Sequence, residues 1–284
     1  MLRRRPRRKR PRRRKRKRIK RARKLRPLQF EKRLFFHIPF SRIRDYISYI
    51  NERKPDLEIY FDGDALDELE GTTADVFLRD FSYSPNLTVH GPFMDLSPGA
   101  VDPLIRDVTL KRFFQVLDLS GKLRAEVVVF HSGFEKWKYD HAVDVWLNGS
   151  LKTWGPVLER AGEYGIRIAI ENIFEDNPAN LKALVEAVNS PDFGLCFDTG
   201  HFNIFSSVSL REWIELVGEH IIELHVHDND GTRDYHCAPG TGTFDFASLF
   251  GLLKTFNRTD IVYTVEAHSL EEVERAADYM NAAW

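Results

Sequence analysis

The residues best equipped for chemistry are histidines, aspartates and glutamates that recur where apolar runs stop. Thr88-Val89-His90-Gly91-Pro92-Phe93, Val129-Phe130-His131-Ser132-Gly133 and Ala169-Ile170-Glu171-Asn172 each end on a side chain able to hold a metal ion. Phe197-Asp198-Thr199-Gly200-His201, Leu224-His225-Val226-His227-Asp228 and Val265-Glu266-Ala267-His268 repeat the pattern, and a polar loop adds Asp234-Tyr235-His236 and Pro239-Gly240-Thr241-Gly242. Imidazoles combined with carboxylates suit zinc, manganese, cobalt or iron, and several carboxylates together can hold more than one ion. Without thiolates nearby, a zinc-finger type site is not expected. A single histidine at a strand end is more often a hydrogen-bonded core or loop residue; so many such residues at the same end of consecutive strands point to a shared metal.

Those side chains need a scaffold that brings six strand ends together. From about Arg33 the chain alternates short β-branched or aromatic runs with segments of helical period, the pattern of repeated βα units and a parallel sheet. The runs predict strands over 34–39, 57–61, 86–90, 125–131, 166–172, 194–198, 221–227 and 261–268. Helices are predicted over 41–53, 72–80, 103–120, 142–163, 178–189, 210–218, 245–255 and 270–282. Eight parallel units with nearly continuous apolar strands fit a closed (β/α)8 TIM barrel of one domain, because closure removes the edges. A doubly wound open sheet would concentrate polar residues at one switch point and carry a glycine-rich turn after its first strand; neither is present.

Charge is divided along the chain. The formal net charge is zero, yet residues 1–26 hold 19 Lys and Arg and no acid, so the other 258 residues carry 23 basic against 42 acidic residues, a net of −19. Residues 1–28, almost free of apolar side chains, read as a disordered basic tail, and residues 29–284 as the barrel. The tail reads as a nucleic-acid-binding or targeting arm, as a solvated extension without a specific role, or as the product of an upstream start. An acidic body repels nucleic acid unless its groove is locally positive, so a small-molecule partner suits it better. The two cysteines, Cys196 and Cys237, imply no disulfide framework and a reducing, cytoplasmic setting. No run approaches a membrane span or a signal-peptide core, so no membrane partner is expected.

The pattern from His90 to Glu266, above all Ile222-Glu223-Leu224-His225-Val226-His227-Asp228-Asn229-Asp230-Gly231 leading to Asp234-Tyr235-His236 and Gly240-Thr241-Gly242, resembles the xylose isomerase-like TIM barrels. That superfamily includes sugar-phosphate isomerases and epimerases and the endonuclease IV group of apurinic-site nucleases. In the epimerase branch the resemblance implies one divalent metal held by Glu171, Asp198, His225 and Glu266. In the endonuclease branch it implies three zinc ions held by His90, His131, Glu171, Asp198, His201, His225, Asp234, His236 and Glu266. The cofactor expectation is therefore one to three ions of Zn, Mn or Co.

Sugar isomerisation or epimerisation requires removal of a proton beside a carbonyl, stabilisation of the resulting enediolate and return of the proton. Glu171 and Glu266, on different strands, are the expected acid/base pair, acting on a sugar or sugar phosphate. His201 or His131 could bind substrate oxygens. Phe134 and Trp137, directly after His131, are candidates to stack on a sugar face, and Arg233 is the candidate for an anionic group. Hydrolysis of abasic-site DNA is the alternative use of the same ligands, but it calls for basic and intercalating loops around the mouth. The loops bearing Asp62-Gly63-Asp64 and Asp95 are acidic or short instead.

Overall fold

Alternation with period two sorts the strand residues into an outward apolar set and an inward set that changes character along the barrel axis. The computed structural model describes residues 33–71, 73, 78–140 and 142–283. Eight strands, β1 (Leu34–Pro39), β2 (Asp56–Tyr60), β3 (Leu87–His90), β4 (Val127–His131), β5 (Arg167–Glu171), β6 (Phe193–Asp198), β7 (Ile221–Val226) and β8 (Val262–Val265), pair in parallel in chain order. β1 pairs with β8, so the barrel is closed.

Outward residues such as Phe36, Ile59, Val89, Phe130 and Leu224 pack in the large core beneath the helices. Phe35, Val127, Val129, Ala169, Cys196, Ile222 and Val262 form a separate small apolar cluster. It lies within the barrel, towards the N-terminal ends of the strands. Above it the interior turns polar.

Among the described residues the helices of the outer ring are α1 (Ile43–Arg53), α2 (Gly63–Glu68), α3 (Pro103–Leu123), α4 (Lys136–Tyr139), α5 (Val143–Gly162), α6 (Ala179–Val188), α7 (Thr199–Phe205), α8 (Leu210–Val217), α9 (Phe246–Leu253) and α10 (Leu270–Ala283). Their boundaries follow local chemistry. Asp102 caps α3 ahead of a proline at its first turn, Ser209 caps α8 and Asp245 caps α9, each accepting a hydrogen bond from a backbone amide of the first turn.

The sequence pattern does not predict three of the helices: α2, started by an Asp62 cap, the single turn α4, and α7 directly after β6. The helix expected over 72–80 lies largely outside the described residues, as do the basic segment and its boundary. Several strands are shorter than expected. β7 ends at Val226 and β8 at Val265, so His227 and Glu266 stand just past their strands. Among the described residues no helix is long and apolar enough to cross a membrane.

Candidate metal centre

Glu171, at the end of β5, lies at the centre of the group. Its Oε2 is 3.1 Å from Nε2 of both His90 and His131, and its Oε1 is 3.1 Å from Nδ1 of His201 and 3.4 Å from Nδ1 of His225. These four imidazoles come from β3, β4, α7 and β7, and the closed barrel is what brings them to one carboxylate. Against the effect of burial, His225 and His131 hold Glu171 well below the usual carboxylate range.

Asp198 has two structural tasks. Its Oδ1 accepts the backbone N–H of His201 as the cap of α7, which turns the His201 ring inward to 3.2 Å from the same oxygen. Its Oδ2 is 2.9 Å from Nε2 of His227. Glu266 reaches in from beyond β8, with Oε1 3.2 Å from Nδ1 of His225 and Oε2 3.3 Å from Nδ1 of His236. Burial would raise the Glu266 pKa, but the imidazoles of His225, His37 and His236 outweigh it and hold the value at about 2.

The loop after β7 closes the group. Oδ2 of Asp234 is 2.9 Å from Nε2 of His236 and 3.4 Å from Nε2 of His201. His236 adopts a left-handed backbone (φ 48°), uncommon outside glycine, and its ring lies between His227 and His268, with centroids 4.1 and 4.3 Å away. Against burial, Asp198, Asp234 and Glu171 push the His201 imidazole well above its usual pKa. At His131 burial prevails and lowers it.

All nine sequence-predicted ligands therefore converge. The residues fit a metal by a direct criterion. Nδ1 of His201, His225, His227 and His236 is in each case buried without a hydrogen-bond partner while carboxylate oxygens stand 3.1–3.8 Å from these nitrogens. At His90, Nδ1 meets the Gly91 carbonyl at 2.8 Å, which leaves Nε2, 3.1 Å from Glu171, as the nitrogen aimed into the group. An outer carbonyl fixing the tautomer in this way is the usual support of a metal-bound imidazole.

Sequence reasoning passed over three contributors. His227 is fully buried and faces Asp198; its signal was its spacing of two from His225, which places both on the inward face. His37 on β1 donates to Glu58 at 2.9 Å and lies 3.3 Å from Glu266. Phe93 stacks on His131 at 4.2 Å and, with Tyr60 5.5 Å away, forms an aromatic wall.

Above the cluster opens a cleft of about 790 Å³, lined by Tyr60, His90, Phe93, His131, Phe134, Glu171, His201, Asp234, His236 and Glu266 among others. This volume suits a small organic substrate. Of the expected substrate contacts, Phe134 lines the cleft. Trp137, on α4, is 90% exposed and does not line it, and neither does the exposed Arg233.

The chain is similar to known proteins over most of this framework. An uncharacterised protein of Methanocaldococcus jannaschii, MJ1311, is 29% identical over 210 residues, covering 72% of this chain and 71% of that protein. The structure of the TTHB071 protein from Thermus thermophilus, soaked with ZnCl2, superposes with a TM-score of 0.71 at 26% identity, over 88% of this chain and 97% of the other. A D-tagatose 3-epimerase-like protein superposes with a TM-score of 0.72 at 25% identity, over 88% and 96%. Residues 57–283 match the family described as xylose isomerase-like TIM barrel, and the chain belongs to that family.

Proposed function

We propose that the protein is a metal-dependent sugar isomerase or epimerase. The observation that carries this reading is the meeting of Glu171, at the end of β5, and Glu266, just past β8, on one imidazole nitrogen of His225 at the floor of a cleft sized for a small substrate. The likeness to a D-tagatose 3-epimerase-like protein supports the same substrate class.

Glu171, Asp198 and Glu266, with His225 and His227 beside them, would hold a divalent ion, and His90, His131, His201, Asp234 and His236 could hold up to two more. When bound, such an ion supplies Lewis-acid polarisation of a carbonyl and its neighbouring hydroxyl. The chain's own groups do the rest. One of Glu171 and Glu266 takes the proton from the carbon beside the carbonyl, and the other, first protonated from solvent, delivers a proton to the opposite face for epimerisation. His201 or His131 orients substrate oxygens. Phe93, Tyr60 and Phe134 give the sugar an apolar wall and reduce access of water to the exposed carbanion.

A second reading has one observation in its favour: Asp234, His201 and His236 come together at 2.9–3.4 Å, so the complete nine-ligand constellation implied by endonuclease IV is assembled. The acidic body argues against a duplex partner. Metal analysis of the purified protein, paired with a panel of ketoses and sugar phosphates and with abasic-site DNA, tests both. Turnover of a ketose without strand cleavage supports the isomerase reading; near three zinc ions per chain with cleavage and no sugar turnover overturns it.

A further inference from the structure

Below the carboxylates of the mouth, the barrel interior holds a second set of donors, of which only His225 is shared with the mouth centre. TIM-barrel interiors are ordinarily filled by bulky branched side chains. Here Glu58 of β2, Thr88 of β3, Glu223 and His225 of β7 and Thr264 of β8 occupy that layer, each with 0% exposure. Two carboxylates without solvent require compensation by a proton or a cation.

The compensation visible among the described residues is incomplete. Oε1 of Glu58 accepts from Nδ1 of His37 at 2.9 Å, and both Glu58 oxygens lie 3.4 Å from Nε2 of His225. Oε1 of Glu223 accepts a hydrogen bond from the Thr264 hydroxyl and its Oε2 is buried without a hydrogen-bond partner, while burial and the neighbouring Glu58 push its carboxyl well above the usual range. Arg33, at the foot of β1, acts on Glu223 electrostatically, while its own ion pair is with Glu126.

One donor atom from each of Glu58, Glu223 and His225 lies within 4.8 Å of the other two. Donors bonded at about 2.0–2.2 Å around a tetrahedral ion stand roughly 3.3–3.6 Å apart, whereas a charge-assisted hydrogen bond closes to about 2.7–2.9 Å. The 3.4 Å separation of His225 from Glu58 belongs to the first class.

We propose that Glu58, Glu223 and Nε2 of His225 bind a second divalent transition-metal cation inside the barrel, beneath the mouth centre. The mixed oxygen and nitrogen donors select the zinc or manganese class. With Nε2 bound below, His225 keeps its proton on Nδ1, where Glu266 and Glu171 lie 3.2 and 3.4 Å away, so with the inner site filled it supports the mouth carboxylates in place of ligating the mouth ion, and His227 supplies the buried imidazole there. The inner ion thereby holds the ring that both proposed acid/base carboxylates approach. This inference rests on the metal-binding reading of the mouth but not on its reaction.

The test is crystallographic and analytical, on the full chain loaded with ZnCl2 and freed of excess. Anomalous maps at the zinc edge should show a peak between Glu58 and Glu223, separate from any at Glu171. Elemental analysis should give one ion per chain fewer in Glu223→Gln than in wild type, with the mouth ions retained. Wild-type maps with a mouth peak and none between Glu58 and Glu223 overturn the proposal and leave a shared proton as the compensation. No zinc at either place overturns the metal reading itself. The wild-type map decides the matter even if Glu223→Gln fails to fold.

Discussion

The ring of His227 lies 4.1 Å from that of His236 and within 2° of parallel, and Nδ1 of His227 is 3.6 Å from Asp234 while its Nε2 is 2.9 Å from Asp198. One side chain at the end of β7 thus joins the carboxylate of β6 to the loop that closes the mouth. A neutral imidazole can serve such a position as a ligand or as a donor to a bound carboxylate, and both roles depend on the ring.

His227→Ala should therefore lower divalent-metal affinity at the mouth by at least the roughly 10–100-fold that loss of a supporting partner costs. Titration with MnCl2, followed by calorimetry, reads this directly. Unchanged affinity would remove His227 from the centre.

Glu171→Gln and Glu266→Gln should each leave the far-ultraviolet circular dichroism of the barrel unchanged and reduce turnover by about 10²–10⁴-fold, the usual contribution of a general acid or base. Retained activity in either variant would end the paired-carboxylate account.

How much of this was legible in the sequence follows from periodicity. Strand ends such as Val129-Phe130-His131 and Ala169-Ile170-Glu171 could be read because an apolar run buried on both faces stops abruptly at a ligand. Positions inside a run were harder. Glu58 between Leu57 and Ile59, and Glu223 before Leu224, sit on the inward face, but without a known strand phase a lone acid in a run reads as a boundary. His225 and His227 share a face, and only the closed barrel separates their depths. The helix α7 was invisible because Asp198 serves both as prospective ligand and as its cap. Phe93 could not be distinguished from other loop aromatics until its stacking on His131 was seen.

The chelator-stripped protein should respond to pH with a defined sign. His201 and His225 are held well above the usual imidazole value, against burial, by Asp198 among others for His201 and by Cys196, Glu58 and Glu266 for His225. Their stabilisation is full below about pH 6.5, the unfolded value, and declines as pH rises through the elevated folded values. The Tm of the stripped protein should fall with rising pH. Metal competes with the same protons, so the Tm gain on adding MnCl2 should grow over that range. A gain independent of pH would contradict imidazole ligation.

Phe93→Ala should raise KM for a sugar substrate more than it lowers kcat, since it removes an apolar wall and the ring stacked on His131. Trp137→Ala, at a side chain 90% exposed and outside the cleft, should leave both constants within about twofold, a bound taken from the small effect of most surface changes. Steady-state kinetics on the two variants separate the two aromatics.

The proposed reaction removes a proton beside a sugar carbonyl and returns one. Incubating the metal-loaded protein with a panel of ketoses in D2O and following the carbon-bound protons by NMR tests it most directly. Deuterium is expected at the carbon next to the carbonyl, together with the epimer or isomer, in the wild type, and neither in Glu171→Gln. Metal-loaded protein that exchanges no proton in any ketose or sugar phosphate, yet cleaves abasic-site DNA, would contradict it.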